Sequence, residues 1–242
     1  EQASMRGEID SPIAIDESKK FSAAQEMTAE GRVVPQKRHD YSNKKIAVIG
    51  SGPAGLSCAY YLALDGYTVT VFEKEQQLGG MLTLGVPAFR LEKDVIDAEI
   101  EMIRALGVEF KIGVEVGKDV SLEQLRKQGY EAFYVAIGAQ GGRALGVDGE
   151  TAKGVISGIE FLRRVNAGQS AALRGKTVVI GGGNVAVDVA RTAVRSGASE
   201  VSMYCLESRS EMPASQEEIE EAEEEKAEKK AAEEESALAA SE

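Results

Sequence analysis

The sequence predicts an α/β chain built from two parallel-sheet units of one design. Short apolar runs rich in β-branched residues alternate with helical stretches, and the order strand, glycine turn, helix, strand occurs twice, about 130 residues apart. The chain of 242 residues, 43% of them hydrophobic, suffices for one large or two small buried cores.

The first unit begins near Lys44. Lys45 to Ile49 reads as a strand running into glycines, Ala54 to Leu64 has helical composition, and Thr68 to Glu73 has strand composition. The pattern recurs at Thr177 to Ile180, Val185 to Ser196 and Glu200 to Tyr204. Between the units, Val95 to Leu106 reads as a helix and Val108 to Ile112 as a strand. Tyr134 to Ala139 is an apolar run ending on small residues, the form expected of a buried parallel strand that meets a ligand at its carboxyl end. Residues 1–40 are a polar lead-in with one amphipathic stretch, Pro12 to Phe21, read as a short helix that docks onto something else.

After Pro213 the composition changes abruptly. Ser215 followed by Glu218 suggests a capping box. Glu217 to Ala240 is almost all Glu, Ala and Lys, with Ile219 and Leu238 as its large apolar residues, so a solvated helix or disordered tail is expected. From residue 217 onward twelve acids face three lysines, so most of the net charge of −12 lies there and the body is close to neutral. No basic patch invites nucleic acid, and no apolar run approaches the roughly 18 residues of a membrane span. Cys58 and Cys205 are the two cysteines and His39 the one histidine, too few for a zinc or iron–sulfur site made by this chain. With no export signal at the start and no disulfide framework, a cytoplasmic protein is expected.

The chemistry resides in the turns. Gly50-Ser51-Gly52-Pro53-Ala54-Gly55 joins a strand to a helix, the setting in which this spacing binds a dinucleotide. Gly50 allows the tight turn, Gly52 lets backbone approach a pyrophosphate, and Gly55 lets the helix pack on the strand. Pro53 and Ala54 open the helix whose amino terminus stabilises phosphate charge. Glu73, 18 residues past Gly55 and next to Lys74, can accept hydrogen bonds from a ribose. The second turn, Gly181-Gly182-Gly183-Asn184-Val185-Ala186, has alanine in the third small position, and Glu207 follows 21 residues later. A carboxylate there repels a 2′-phosphate and accepts from a 2′-hydroxyl, which favours NAD(H) over NADP(H), although Arg209 lies close by.

Beyond the turns, the sequence carries Asp10-Ser11-Pro12-Ile13-Ala14-Ile15-Asp16, Gly79-Gly80 with Gly85-Val86-Pro87 and Arg90, Ala136-Ile137-Gly138-Ala139, Val187-Asp188-Val189-Ala190-Arg191 and Glu211-Met212-Pro213-Ala214. Together with the glycine turns these resemble the small subunit of glutamate synthase and its relatives, the flavin module of dihydropyrimidine dehydrogenase and the flavin subunits of electron-bifurcating transhydrogenases and hydrogenases. The resemblance spans roughly residues 6 to 222. It implies two Rossmann-like dinucleotide-binding domains arranged as in glutathione reductase, here incomplete: a lead-in at 1–40 that is the edge of an iron–sulfur region, an FAD domain at 41–148, an NAD domain at 149–216 and an acidic tail at 217–242. By the same resemblance Gly50, Gly52, Ala54, Gly55, Glu73, Gly80 and Arg90 fall on FAD, and Gly138 on the turn between domains. Gly181, Gly183, Asn184, Val185 and Glu207 fall on the nicotinamide cofactor.

This chain departs from the family at several points. Leu206 and Glu207 stand where NADP-using members often carry arginines, which supports NAD(H). Ser4 stands where a cysteine of the [4Fe-4S] segment is expected, so either the clusters lie outside this chain, which is the expectation, or they have been lost. The returning half of the FAD domain and the rest of the NAD domain do not follow Ala222. The stretch Gly79 to Arg90 has no cysteine, which argues against a disulfide reductase. The implied activity is hydride transfer between NAD(H) and bound FAD, with electrons passed to an iron–sulfur or flavin partner subunit in a hetero-oligomeric complex. Two alternatives remain open at this point: an FAD-bearing relay or electron-bifurcating subunit, and a non-catalytic scaffold that keeps the nucleotide fold.

Overall fold

A computed structural model describes residues 5–10, 12–28, 32–142, 144–169 and 172–225. The first unit is a four-stranded, all-parallel sheet of order β3-β2-β1-β4, from β1 (Tyr41–Ile49), β2 (Tyr67–Glu73), β3 (Glu109–Ile112) and β4 (Tyr130–Val135). Parallel strands need crossovers, and their helices cover the faces. One face carries α2 (Pro53–Leu64) and α4 (Lys93–Ala105), whose Leu56, Ala59, Ile96, Ile100 and Ile103 close over Val48, Val69 and Val71. Ala47, Phe72, Leu125 and Tyr130 pack on the other face, Leu125 coming from α5 (Leu122–Lys127). β1 is thus buried on both sides at Ala47 and Val48, which is why its sequence is a continuous apolar run rather than an alternating one.

The second unit pairs β5 (Lys176–Ile180) with β6 (Glu200–Tyr204), again parallel, with Val179 opposite Met203. Helices α6 (Gly158–Asn166) and α7 (Asn184–Arg195) pack together through Phe161, Leu162, Ala193 and Val189. Val179 turns inward, whereas Val178, Ile180 and Tyr204 are exposed. Apart from the lead-in helix, read at Pro12 to Phe21 and found at Ile15–Thr28, the boundaries read from the sequence otherwise hold to within a few residues.

Three expectations are corrected. The strand expected at Tyr134 to Ala139 runs instead from Tyr130 to Val135. Its end is not buried, Tyr134, Val135 and Ile137 being exposed, because β4 is the edge of the sheet. The acidic stretch is not a solvated tail throughout. Residues 216–225 form a helix, α8, whose Ile219 is buried with Val187 and Ala214, with Met203, Met212 and Ala222 packed around them. Two apolar side chains one turn apart, set on a hydrophobic patch of α7, suffice where a wide stripe is absent. Finally, the capping box is half formed: the Glu218 amide lies 3.4 Å from Ser215 Oγ, but the Glu218 carboxylate goes to Arg90 instead. The tail from residue 226 lies outside the described residues. The lead-in helix, α1, covers Ile15–Thr28, and Ile13, Ile15 and Phe21 beside or on it are exposed.

Candidate nucleotide sites

The first glycine turn sits at the carboxyl end of β1, between its sheet neighbours. Gly50 has φ +104°, and a Cβ there would lie 2.3 Å from the Ala136 carbonyl oxygen, so only glycine fits against the end of β4. A Cβ on Gly55 would lie 1.9 Å from the Gly50 oxygen, which shows how closely α2 starts against β1. Gly52 differs: it has ordinary extended backbone as the N-cap of α2, and a Cβ on it would meet nothing within 4 Å. The turn therefore leaves open space where the exposed amides of the first turn of α2, after Pro53 and Ala54, can receive a pyrophosphate.

Glu73 ends β2 with its carboxylate buried. Oε2 accepts from the Ser51 amide at 2.8 Å and from Ser51 Oγ at 2.6 Å, and Oε1 accepts from the Glu75 amide at 2.9 Å. Three donors on about four acceptor positions leave about one for a ribose hydroxyl. Lys74 beside it is half exposed, its Nζ 3.9 Å from Glu75. Sequence reasoning missed Ser51, which is fully buried and also receives the Gly79 amide on both its carbonyl and hydroxyl oxygens. Its signal was its place between the two glycines, where a small side chain must face inward.

Gly79 and Gly80 form the next wall. Both have positive φ, and a Cβ on Gly80 would come within 2.8 Å of Gly52 Cα, so this turn abuts the first glycine turn directly. The chain then passes through α3 (Met81–Leu84) to Pro87 and Arg90. Lys93 Nζ donates to the Leu82 and Val86 carbonyls, and burial pulls its pKa down. Asn166 of α6 donates to the Leu84 and Val86 carbonyls. Arg90, which the resemblance places on FAD, lays its guanidinium on Asp188 of α7, at 2.8 Å from Nε, and on Glu218 of α8. Phe89 stacks under Arg191 and Arg195, and Arg163 pairs with Glu75 at 2.6 Å. The segment from Gly79 to Arg90 thus joins the two units, a role that no local motif announced. Gly138, just past β4, has φ +70° and open space around it.

The second turn repeats the plan with looser packing. Gly181 has φ +141°, and a Cβ on it would meet Ala186 Cβ at 3.2 Å. Gly183 caps α7 with nothing within 4 Å of a Cβ, and Val185 is exposed beside it. Asn184 Oδ1 accepts from the Ser215 amide at 3.0 Å. A Cβ on Gly182 would come within 3.3 Å of the Glu207 carboxylate, so Glu207 does stand over this turn. Arg209 is paired with Glu223, and Leu206 is fully exposed. Neither cysteine faces a partner thiol. Cys58 packs in the first core, its pKa raised by burial, and Cys205 Sγ donates to the Glu207 carbonyl at 3.4 Å.

Two open glycine turns, each on a parallel βαβ unit and each followed by a carboxylate, Glu73 at the end of the second strand and Glu207 in the loop just past it, define a two-dinucleotide oxidoreductase fold. Residues 44–232 match the pyridine nucleotide-disulphide oxidoreductase family, and the chain belongs to it, among proteins that bind FAD and NAD(P)H. It is 42% identical to the NADP(+)-dependent formate dehydrogenase subunit beta of Moorella thermoacetica, over 92% of this chain and 34% of that protein. It is 38% identical to the glutamate synthase (NADPH) small chain of Escherichia coli, over 75% of this chain and 40% of that protein. The chain thus spans well under half of either relative, and the resemblance read from its motifs holds. Among solved structures, FprA of Mycobacterium tuberculosis in complex with NADPH superposes with TM-score 0.61 at 24% identity, covering 75% of this chain and 47% of that one, a likeness of fold. Among the described residues no helix is long and apolar enough to cross a membrane.

Proposed function

We propose that the first unit, residues 41–148, holds FAD, that the second, residues 149–216, holds NAD(H), and that electrons delivered as hydride leave to an iron–sulfur or flavin centre of a partner subunit. One observation carries this: the same device occurs twice, an open space at Gly52 and again at Gly183, each at a helix amino terminus beneath a carboxylate. The bound cofactors supply the redox chemistry. The chain's residues do the rest. The amides after Gly52 and Gly183 take the two pyrophosphates, Glu73 accepts from one ribose, and Glu207 meets the other. No protein acid or base is needed, which suits a site whose described residues bring no histidine to either turn. The two relatives are named as a subunit and a small chain, which supports a hetero-oligomeric assembly.

Both relatives carry NADP in their names. For this chain we favour NAD(H), because Glu207 stands over the turn and Leu206 offers no phosphate partner. A 2′-phosphate against that carboxylate should weaken NADP(H) by about 10²-fold. The test is the absorption spectrum of the purified protein with each cofactor. Stoichiometric flavin bleached by NADH at much lower concentration than NADPH is expected, and replacing Leu206 and Glu207 together by arginine should shrink or invert the preference. Colour that resists both cofactors would favour the relay, and absence of flavin the scaffold.

A further inference from the structure

The acidic helix α8 follows directly on the segment that meets the second nucleotide turn. The Ala214 amide donates to the Gly182 carbonyl at 3.0 Å and the Ser215 amide to Asn184 Oδ1, so the chain entering α8 is fastened to the turn itself. In the loop between β6 and α8, Arg209 is the one cation. Both of its terminal nitrogens sit on the Glu223 carboxylate, Nη2 at 2.9 Å from Oε2 and Nη1 on Oε1. The same helix engages Arg191 through Glu221 and Glu225, each contact under 3 Å, and Arg195 through Glu225 at 2.6 Å.

We propose that Glu223 is a specificity-determining residue for the second nucleotide: by holding Arg209 fork to carboxylate, it withholds the one cation of the loop after β6 from a 2′-phosphate and leaves Glu207 to face the adenosine ribose. The inference rests on the reading of Glu207 given above and deepens it. An arginine fork fits a phosphate as well as it fits a carboxylate, so a phosphate must displace Glu223 before it can use Arg209. The ligand class selected is a dinucleotide with a free 2′-hydroxyl. Side chains of the pair are about half exposed, 53% and 57%, so solvent weakens the hold and its effect is a modest factor on top of that of Glu207.

The experiment measures NAD+ and NADP+ dissociation constants by calorimetry on the full chain, in wild type, Glu223→Gln, Arg209→Leu and the double variant. Glu223→Gln should tighten NADP+ about two- to fivefold and leave NAD+ unchanged, and the gain should vanish in the double variant. Both substitutions are at exposed positions, and an unchanged NAD+ constant reports an intact site. If wild type prefers NAD+ but Glu223→Gln leaves NADP+ where it was, the inference falls while the reading of Glu207 stands. A gain that survives the loss of Arg209 also overturns it, since charge removal alone would then explain the effect. Equal affinity for the two nucleotides in wild type, or binding of neither, overturns the reading of Glu207 and the inference with it.

Discussion

In the first unit the carboxylate at the end of the second strand is buried and held by three donors, and the glycine turn below it is closed on three sides by Gly55, Ala136 and Gly80. In the second unit the corresponding carboxylate lies on an exposed loop, the turn accepts alanine at its third small position, and the wall is a helix held by the buried Ile219 and by ion pairs at its surface. The same backbone plan therefore meets two demands. Under the proposed assignment, a cofactor that stays bound is served by a preorganised site whose ribose acceptor is held in place. A cofactor that comes and goes is served by a site whose selectivity sits in a few surface side chains, which can change without disturbing a core.

That contrast can be broken most directly at the open glycines. Gly52→Val should abolish FAD binding and Gly183→Val should abolish nicotinamide nucleotide binding, each with little change in melting temperature, because a side chain there fills ligand space and not protein. Flavin stoichiometry and nucleotide titration read the two outcomes separately, and retention of full flavin by Gly52→Val would refute the first site.

A smaller effect is expected at the third small positions. Gly55→Ala should cost about 3 kcal/mol or more, since its Cβ would be driven into the Gly50 carbonyl. Ala186→Gly should cost only about 1 kcal/mol, the ordinary penalty of a helical glycine. Urea denaturation gives both values; similar costs would mean that the two turns are equally tight. Ile219→Ala should remove about 2 to 4 kcal/mol from the second unit, since the side chain is buried against Val187 and Ala214. An unchanged melting temperature would instead return α8 to the solvated helix its composition suggests. Ser51→Ala is expected to cost about 1 to 2 kcal/mol by removing the hydroxyl that donates to Glu73 and accepts from Gly79, with weaker FAD retention on dilution.

Both glycine turns, their flanking strands and helices, and the two terminal carboxylates were legible in the sequence, because each is a local pattern with a fixed physical reason. What was not legible depends on long-range pairing. Ile219 stands nearly alone among glutamates, and only the patch formed by Val187 and Ala214 makes it a core residue. The resemblance places Arg90 on FAD, and no local pattern says that its guanidinium also meets Asp188, 98 residues away, and Glu218, 128 residues away. The apolar end of β4 suggested a buried strand, and nothing local says that a strand will be an edge.

The path from Gly79 to Arg90 has a mechanical consequence. It begins in contact with the Gly52 backbone and ends with Phe89 and Arg90 on α7, so it is a continuous physical connection between the two nucleotide turns. A displacement of α7 on occupation of the second turn would reach the first through the Arg90–Asp188 ion pair and the Phe89 contacts. To the extent that it does, the two affinities are thermodynamically linked, and each cofactor changes the other's retention by the same factor.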